Sequence, residues 1–135
     1  MQAGNSVPAI AIIDDDSSIR FAVAALVRSL GFSAYEFASA GQYLQSPERR
    51  AAACIICDVQ MRGVNGLEMQ SRLAAEHDLT PIIFITAFPR RELEKRALEA
   101  GAVCFLTKPF DNRTLIGWID LALKRHFESG GGDEQ

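Results

Sequence analysis

The sequence lacks any apolar stretch near the roughly 20 residues that a membrane-spanning helix requires, which excludes a helical span. Its first residues, Met1-Gln2-Ala3-Gly4-Asn5-Ser6, carry neither the basic nor the apolar region of a signal peptide. A cytoplasmic location is therefore expected. Basic charge is also scarce. With 14 Lys and Arg against 17 Asp and Glu, the net charge is −3 and no basic stripe forms. That leaves the chain poorly suited to grip a phosphate backbone, so neither nucleic acid nor membrane is an expected partner. No internal repeat, G-x-G-x-x-G or Walker sequence occurs; the Gly63-x-x-Gly66 pair reads as a turn and a helix start.

Cysteine is sparse too, at three residues: Cys54, Cys57 and Cys104. Cys54-Ile55-Ile56-Cys57 spells C-x-x-C, but a redox pair needs its first thiol at a helix start. Here the motif sits in "AACIICD", which reads as a strand, where residues three apart point to opposite faces. His77 and His126 lack the spacing of zinc ligands. All three cysteines are expected to be small buried apolar residues.

What the sequence does hold is apolar material in short runs. Hydrophobic residues make up 48% of 135, enough for one core. Strands are predicted at Pro8–Ile13, Ser33–Phe37, Ala53–Cys57, Pro81–Thr86 and Val103–Leu106. Four are nearly continuous in apolar residues, as strands covered on both faces are, whereas "SAYEF" suits an edge. Helical periodicity fills the gaps. Ile19, Val23, Leu26, Val27 and Leu30 recur at helical steps behind an N-cap at Asp16 or Ser17, with Gly31 closing the helix. Further helices are predicted near Ala40–Leu44, Gly66–Glu76, Arg90–Ala100 and Asn112–Phe127. Leu67, Met69, Leu73 and Ala74 should face inward on the third, and Leu115, Ile116, Ile119, Ala122 and Leu123 on the last. Alternating strands and helices imply a doubly wound five-stranded parallel sheet of order 2-1-3-4-5. One domain is expected over residues 1–127, and the Gly-rich residues 128–135 read as a flexible tail or linker.

The chemistry gathers where the strands end. The first runs into Asp14-Asp15-Asp16, the third into Asp58, the fourth into Thr86 and the fifth into Thr107-Lys108-Pro109. Ligands in such folds bind beyond the carboxyl ends of the strands where the winding reverses, here between the first and third. Asp14, Asp15 and Asp58 should share one crevice, with Thr86 and Lys108 along its rim. Three carboxylates repel one another unless a hard dication joins them. Magnesium suits, because it takes one or two carboxylates, keeps waters and completes its shell with phosphate. Asp16 is better placed to serve the helix start. Lys108 can meet a phosphoryl oxygen as a point charge, the Thr86 hydroxyl can donate to another, and a carboxylate such as Asp58 can act as nucleophile.

"IIDDDSSIR", "CDVQMRGVNGLEM", "FITA" and "LTKPF" together resemble the receiver domain of two-component response regulators over about Ala9 to Phe127, most like the FixJ type and next the NtrC type. The resemblance implies a flavodoxin-like fold and a phosphoryl group accepted on Asp58 from a sensor histidine kinase or phosphotransfer protein. It implies Mg2+, with Mn2+ as a substitute, held by Asp14, Asp15, Asp58 and the Gln60 backbone carbonyl. Thr86 and Lys108 would bind phosphoryl oxygens, the Lys108–Pro109 bond would be cis, and Phe105 would be the aromatic that turns inward with Thr86. The module would catalyse only its own phosphorylation and slow dephosphorylation. A homodimer on phosphorylation is a further candidate partner. The Gly-rich tail suggests an output domain outside this chain, DNA-binding in a transcription regulator, with a free-standing receiver or a fragment of a hybrid kinase as the open alternatives.

Two departures stand out. Met61-Arg62-Gly63 replaces the usual Met-Pro-Gly, which should loosen that loop and leaves Arg62 solvated or free to meet a partner. Phe88, two residues past Thr86, is expected to hinder the water that hydrolyses an acyl phosphate. Trp118 reads as packing, and Arg90, Arg91, Lys95 and Arg96 as a basic helix face on the predicted output surface. Two rivals compete. A flavodoxin-type cofactor binder needs Ser/Thr/Gly-rich loops where the three Asp stand. A degenerate receiver that only docks proteins has no need of all five of Asp14, Asp15, Asp58, Thr86 and Lys108.

Overall fold

Five short apolar segments hydrogen-bond side by side, all parallel, because helices return the chain to the same end of the sheet after each strand. The computed structural model describes residues 7–61 and 63–129. The strands are β1 (Ala9–Ile13), β2 (Ser33–Phe37), β3 (Ala52–Asp58), β4 (Ile82–Thr86) and β5 (Cys104–Thr107). The helices are α1 (Ser17–Ser29), α2 (Ala40–Gln45), α3 (Gly66–Ala75), α4 (Arg91–Glu99) and α5 (Asn112–Ser129). Strand order is β2-β1-β3-β4-β5, the expected order, with β2 at an edge.

Period-two alternation splits the core in two. Ile10, Ile12, Cys54, Ile56, Ile83 and Ile85 face α1 and α5, where they meet Val23, Val27, Leu115 and Ile119. Ala11, Ile13, Ile55, Cys57, Ile82 and Phe84 face the other way, toward Tyr43, Met69, Leu73 and Ala97. Nearly all of these side chains are wholly buried, and each large one stabilises the fold by roughly 1.5–3 kcal/mol relative to exposure. Cys54 and Cys57 thus lie on opposite faces, and all three cysteines are free and buried. Trp118 is half-buried against the α1/α5 layer.

The differences from expectation have local causes. Pro8 and Pro81 fall just outside β1 and β4, since neither has an N–H to give the ladder, yet their carbonyls accept from Ser33 at 3.0 Å and Ile55 at 2.9 Å. β3 reaches further than expected, taking in Ala52 and Asp58, and β5 is displaced by one residue. A 3-10 turn at Pro47–Ala51, missed by periodicity because it buries no residue, precedes β3. Ala74 is exposed rather than inward. Gln70 takes the buried position and donates from Nε2 to the Ala97 carbonyl at 3.0 Å, tying α3 to α4. Asp16 is the N-cap of α1, accepting from Ser18 and Ile19, and Gly31 follows its last turn. α5 continues to Ser129 rather than Phe127. Glu128 and Ser129, expected to begin a flexible tail over 128–135, lie in α5; the rest of that tail, and Arg62, fall outside the described residues.

Candidate functional site

Asp14 leaves β1 with its backbone N–H bonded to the Phe37 carbonyl at 3.1 Å, which fixes the chain as it turns into α1. Its side chain is fully buried, and one carboxylate oxygen accepts from the Asp16 N–H at 2.9 Å. Arg20 reaches back from α1 to the Asp14 carbonyl at 2.7 Å and lies 3.6 Å from Glu36 on the edge strand. Asp15 is exposed. Asp58 ends β3 opposite Ile85, is buried, and accepts the Gln60 N–H on Oδ1 at 2.9 Å. The sequence separates Asp14 from Asp58 widely, but β1 and β3 are neighbours. One carboxylate oxygen from each of Asp14, Asp15 and Asp58 lies within 4.8 Å of the others.

Lys108, arriving from the end of β5, does more than line a rim. Its Nζ stands 3.0 Å from Asp14 Oδ2 and 3.0 Å from Asp58 Oδ2. Its backbone N–H donates to the Thr86 carbonyl at 2.7 Å, and the Lys108–Pro109 bond is cis. Burial of the Asp14 carboxyl outweighs the ammonium beside it and holds its pKa above the usual value. Burial acts against the Lys108 charge, but its bonds to Asp58 and Asp14 prevail and raise its pKa. Three carboxylates against one ammonium leave the crevice electron-rich, and these hard oxygen donors could hold a metal ion.

Thr86 is not on the rim either. It is fully buried at the end of β4, and its hydroxyl donates to Gln60 Oε1 at 2.7 Å while accepting the Phe88 N–H at 3.1 Å. Sequence reasoning used only the backbone of Gln60, and a loop glutamine gives no periodic signal of where its amide points. Phe88 itself is 73% exposed. Phe105 is half-buried, its ring 6.4 Å from that of Phe84. An open groove of about 390 Å3 adjoins the acids, lined by Asp15, Gln60, Met61, Asn65 and Arg90 among others.

Asn65, which lines that groove, is the N-cap of α3; its side chain and that of Glu68 accept each other's backbone N–H groups. Gly63 adopts φ +77°, a conformation that favours glycine. Gly66 sits so near the sheet that a Cβ there would lie 2.7 Å from Phe84 Cε1 and 2.9 Å from Val59 Cα. That close approach seats the first residue of α3 directly against β3 and β4.

A doubly wound parallel sheet with clustered acids, a lysine and a threonine at the carboxyl ends of its strands defines a flavodoxin-like α/β domain with one polar site at its switch point. The profile described as the response regulator receiver domain matches residues 10–120, and the chain belongs to that family. It is a signalling domain of the two-component type. The response regulator protein TodT of Pseudomonas putida is 42% identical over 115 residues, which cover 85% of this chain and 51% of TodT. The transcriptional regulatory protein FixJ of Bradyrhizobium diazoefficiens is 33% identical over 86% of this chain and 57% of its own length. FixJ is thus one of several similar regulators. The solved structure of the response regulator StyR superposes with a TM-score of 0.88 at 35% identity, covering 96% of this chain and 65% of StyR. The chain spans about half the length of the curated relatives it matches. Among the described residues, no helix is long and apolar enough to cross a membrane.

Proposed function

We propose that this chain is a phosphoacceptor switch in which Asp58 takes a phosphoryl group from a histidine kinase or phosphotransfer protein. The observation that carries the reading is the convergence of Asp14, Asp15 and Asp58 within 4.8 Å, with Lys108 at 3.0 Å from Asp58. Phosphoryl transfer demands positioning and charge neutralisation more than covalent work by the protein. The buried Asp58 carboxylate attacks phosphorus, forming an O–P bond as the donor's N–P bond breaks, and the departing imidazole keeps that electron pair and takes a proton. Asp14, Asp15, Asp58 and the Gln60 carbonyl would hold Mg2+, or Mn2+ in its place. When bound, the ion draws charge from the phosphoryl oxygens and relieves repulsion among the acids. Lys108 exchanges its contacts with two carboxylates for one with a phosphoryl oxygen, and the Thr86 hydroxyl donates to another. With Thr86 displaced, Phe105 has room to turn inward, altering the surface formed by α4, β5 and α5. Arg90, Arg91, Lys95 and Arg96 are exposed along that surface, where a partner or second copy would read the change. We place the receiver at residues 1–127, and the greater length of the relatives supports an output portion outside this chain.

The test is to incubate the protein with a small acyl phosphate, with and without magnesium, and to weigh it intact. Wild type should gain a single phosphoryl mass only with the metal, and Asp58→Asn should gain none. A metal-independent gain, or a gain by the variant, would refute the assignment of Asp58. A chain that never gains the mass is the docking module instead.

A further inference from the structure

We infer that the Gln60 side chain is a positioning residue that holds the Thr86 hydroxyl away from Asp58 and competes with the phosphoryl group for it. The inference rests on the phosphoacceptor reading of Asp58. A threonine hydroxyl has one proton to give. Here the proton goes to Gln60 Oε1 across 2.7 Å, while the Phe88 N–H occupies a lone pair of the same oxygen at 3.1 Å. Thr86 is wholly buried, so no solvent offers a substitute partner, and releasing the amide without a new acceptor is costly. Gln60 is also anchored on the other side, because its backbone N–H donates to Asp58 Oδ1 at 2.9 Å. One residue therefore touches the acceptor through its backbone and the switching hydroxyl through its side chain. A phosphoryl oxygen on Asp58 supplies the acceptor that draws Thr86 off the amide. The Gln60–Thr86 bond is then a fixed cost of activation, and it biases the unmodified chain toward the inactive arrangement.

Beryllofluoride, which bonds to a carboxylate as a stand-in for the phosphoryl group, measures this directly in the presence of magnesium. Gln60→Met keeps the bulk and the backbone but removes the acceptor. It should tighten beryllofluoride binding by roughly three- to tenfold, the worth of one net hydrogen bond. In a Thr86→Val background, which lacks the hydroxyl, the same change should have no effect. The three-bond coupling between the Thr86 nitrogen and its Cγ2 should report one rotamer in the unliganded wild type and an average in Gln60→Met. Unchanged or weakened binding in Gln60→Met, an equal shift in the Thr86→Val background, or an unaltered Thr86 coupling would each overturn the inference. Failure of the wild type to bind beryllofluoride would instead strike the phosphoacceptor reading, and the Thr86 coupling would then decide the latch alone.

Discussion

Asp14, Asp58 and Lys108 show how far a single side chain's behaviour depends on its surroundings. Two carboxylates that would each be solvated in an isolated strand end are buried, and the Lys108 ammonium between them is the nearest compensating charge. The cysteines make the opposite case. Burial pushes the Cys104 thiol up to about 12 and also raises those of Cys54 and Cys57, which removes the thiolate that redox or zinc chemistry needs. Phe88 is where a residue-scale prediction can be isolated. Its ring is largely exposed, so Phe88→Ala should leave folding intact. If the ring screens the acyl phosphate from water, the variant should lose its phosphoryl group faster than wild type. Dephosphorylation rates followed by intact mass decide this, and equal rates reject the screen.

At the scale of elements, the apolar runs and helical stripes foretold ten segments, whose boundaries moved by one or two residues: prolines trimmed β1 and β4, while β3 and α5 ran further than their apolar runs. The 3-10 turn and the buried Gln70 were not legible, since neither follows a hydrophobic period. Gly66 was read as a helix start, but its spatial demand belongs to the packing of α3 on β3 and β4. Gly66→Ala should destabilise the fold by about 1–3 kcal/mol, the usual cost of forcing a methyl into a packed contact. A lower urea midpoint with an unchanged slope would bear this out. An unaltered midpoint would mean that the helix start yields freely, and that the close approach is not what seats α3 on the sheet.

For the whole molecule, the two layers meet the same sheet, so a change in one helix is felt through the core. His126 on α5 is half-buried beside Phe127, with ring centroids 5.0 Å apart. Burial lowers its pKa below the ordinary 6.5, against the opposing pull of Asp78. The folded state therefore favours the neutral ring. Its contribution is whole above 6.5 and is lost as pH falls through the lower, folded value. His126→Gln, which does not titrate, should lose less stability than wild type between about pH 7.5 and about pH 5.5. Urea midpoints at both values check it, and parallel losses in the two proteins would assign the acid sensitivity elsewhere.

Hydrophobic pattern together with the fold rules for parallel sheets determined the five strands and five α-helices, the order of the sheet and the gathering of Asp14, Asp15 and Asp58 at one end. Hydrophobic periodicity and the handedness of crossovers leave few other arrangements. Only the tertiary structure decided where the polar tips go. That Lys108 stands between two acids, that Thr86 is held by Gln60, and that Gly66 must lack a side chain are results of packing at contacts of about 3 Å. No period in the sequence encodes distances of that kind, because they are fixed by residues far apart in the chain meeting within a core that leaves no room to adjust.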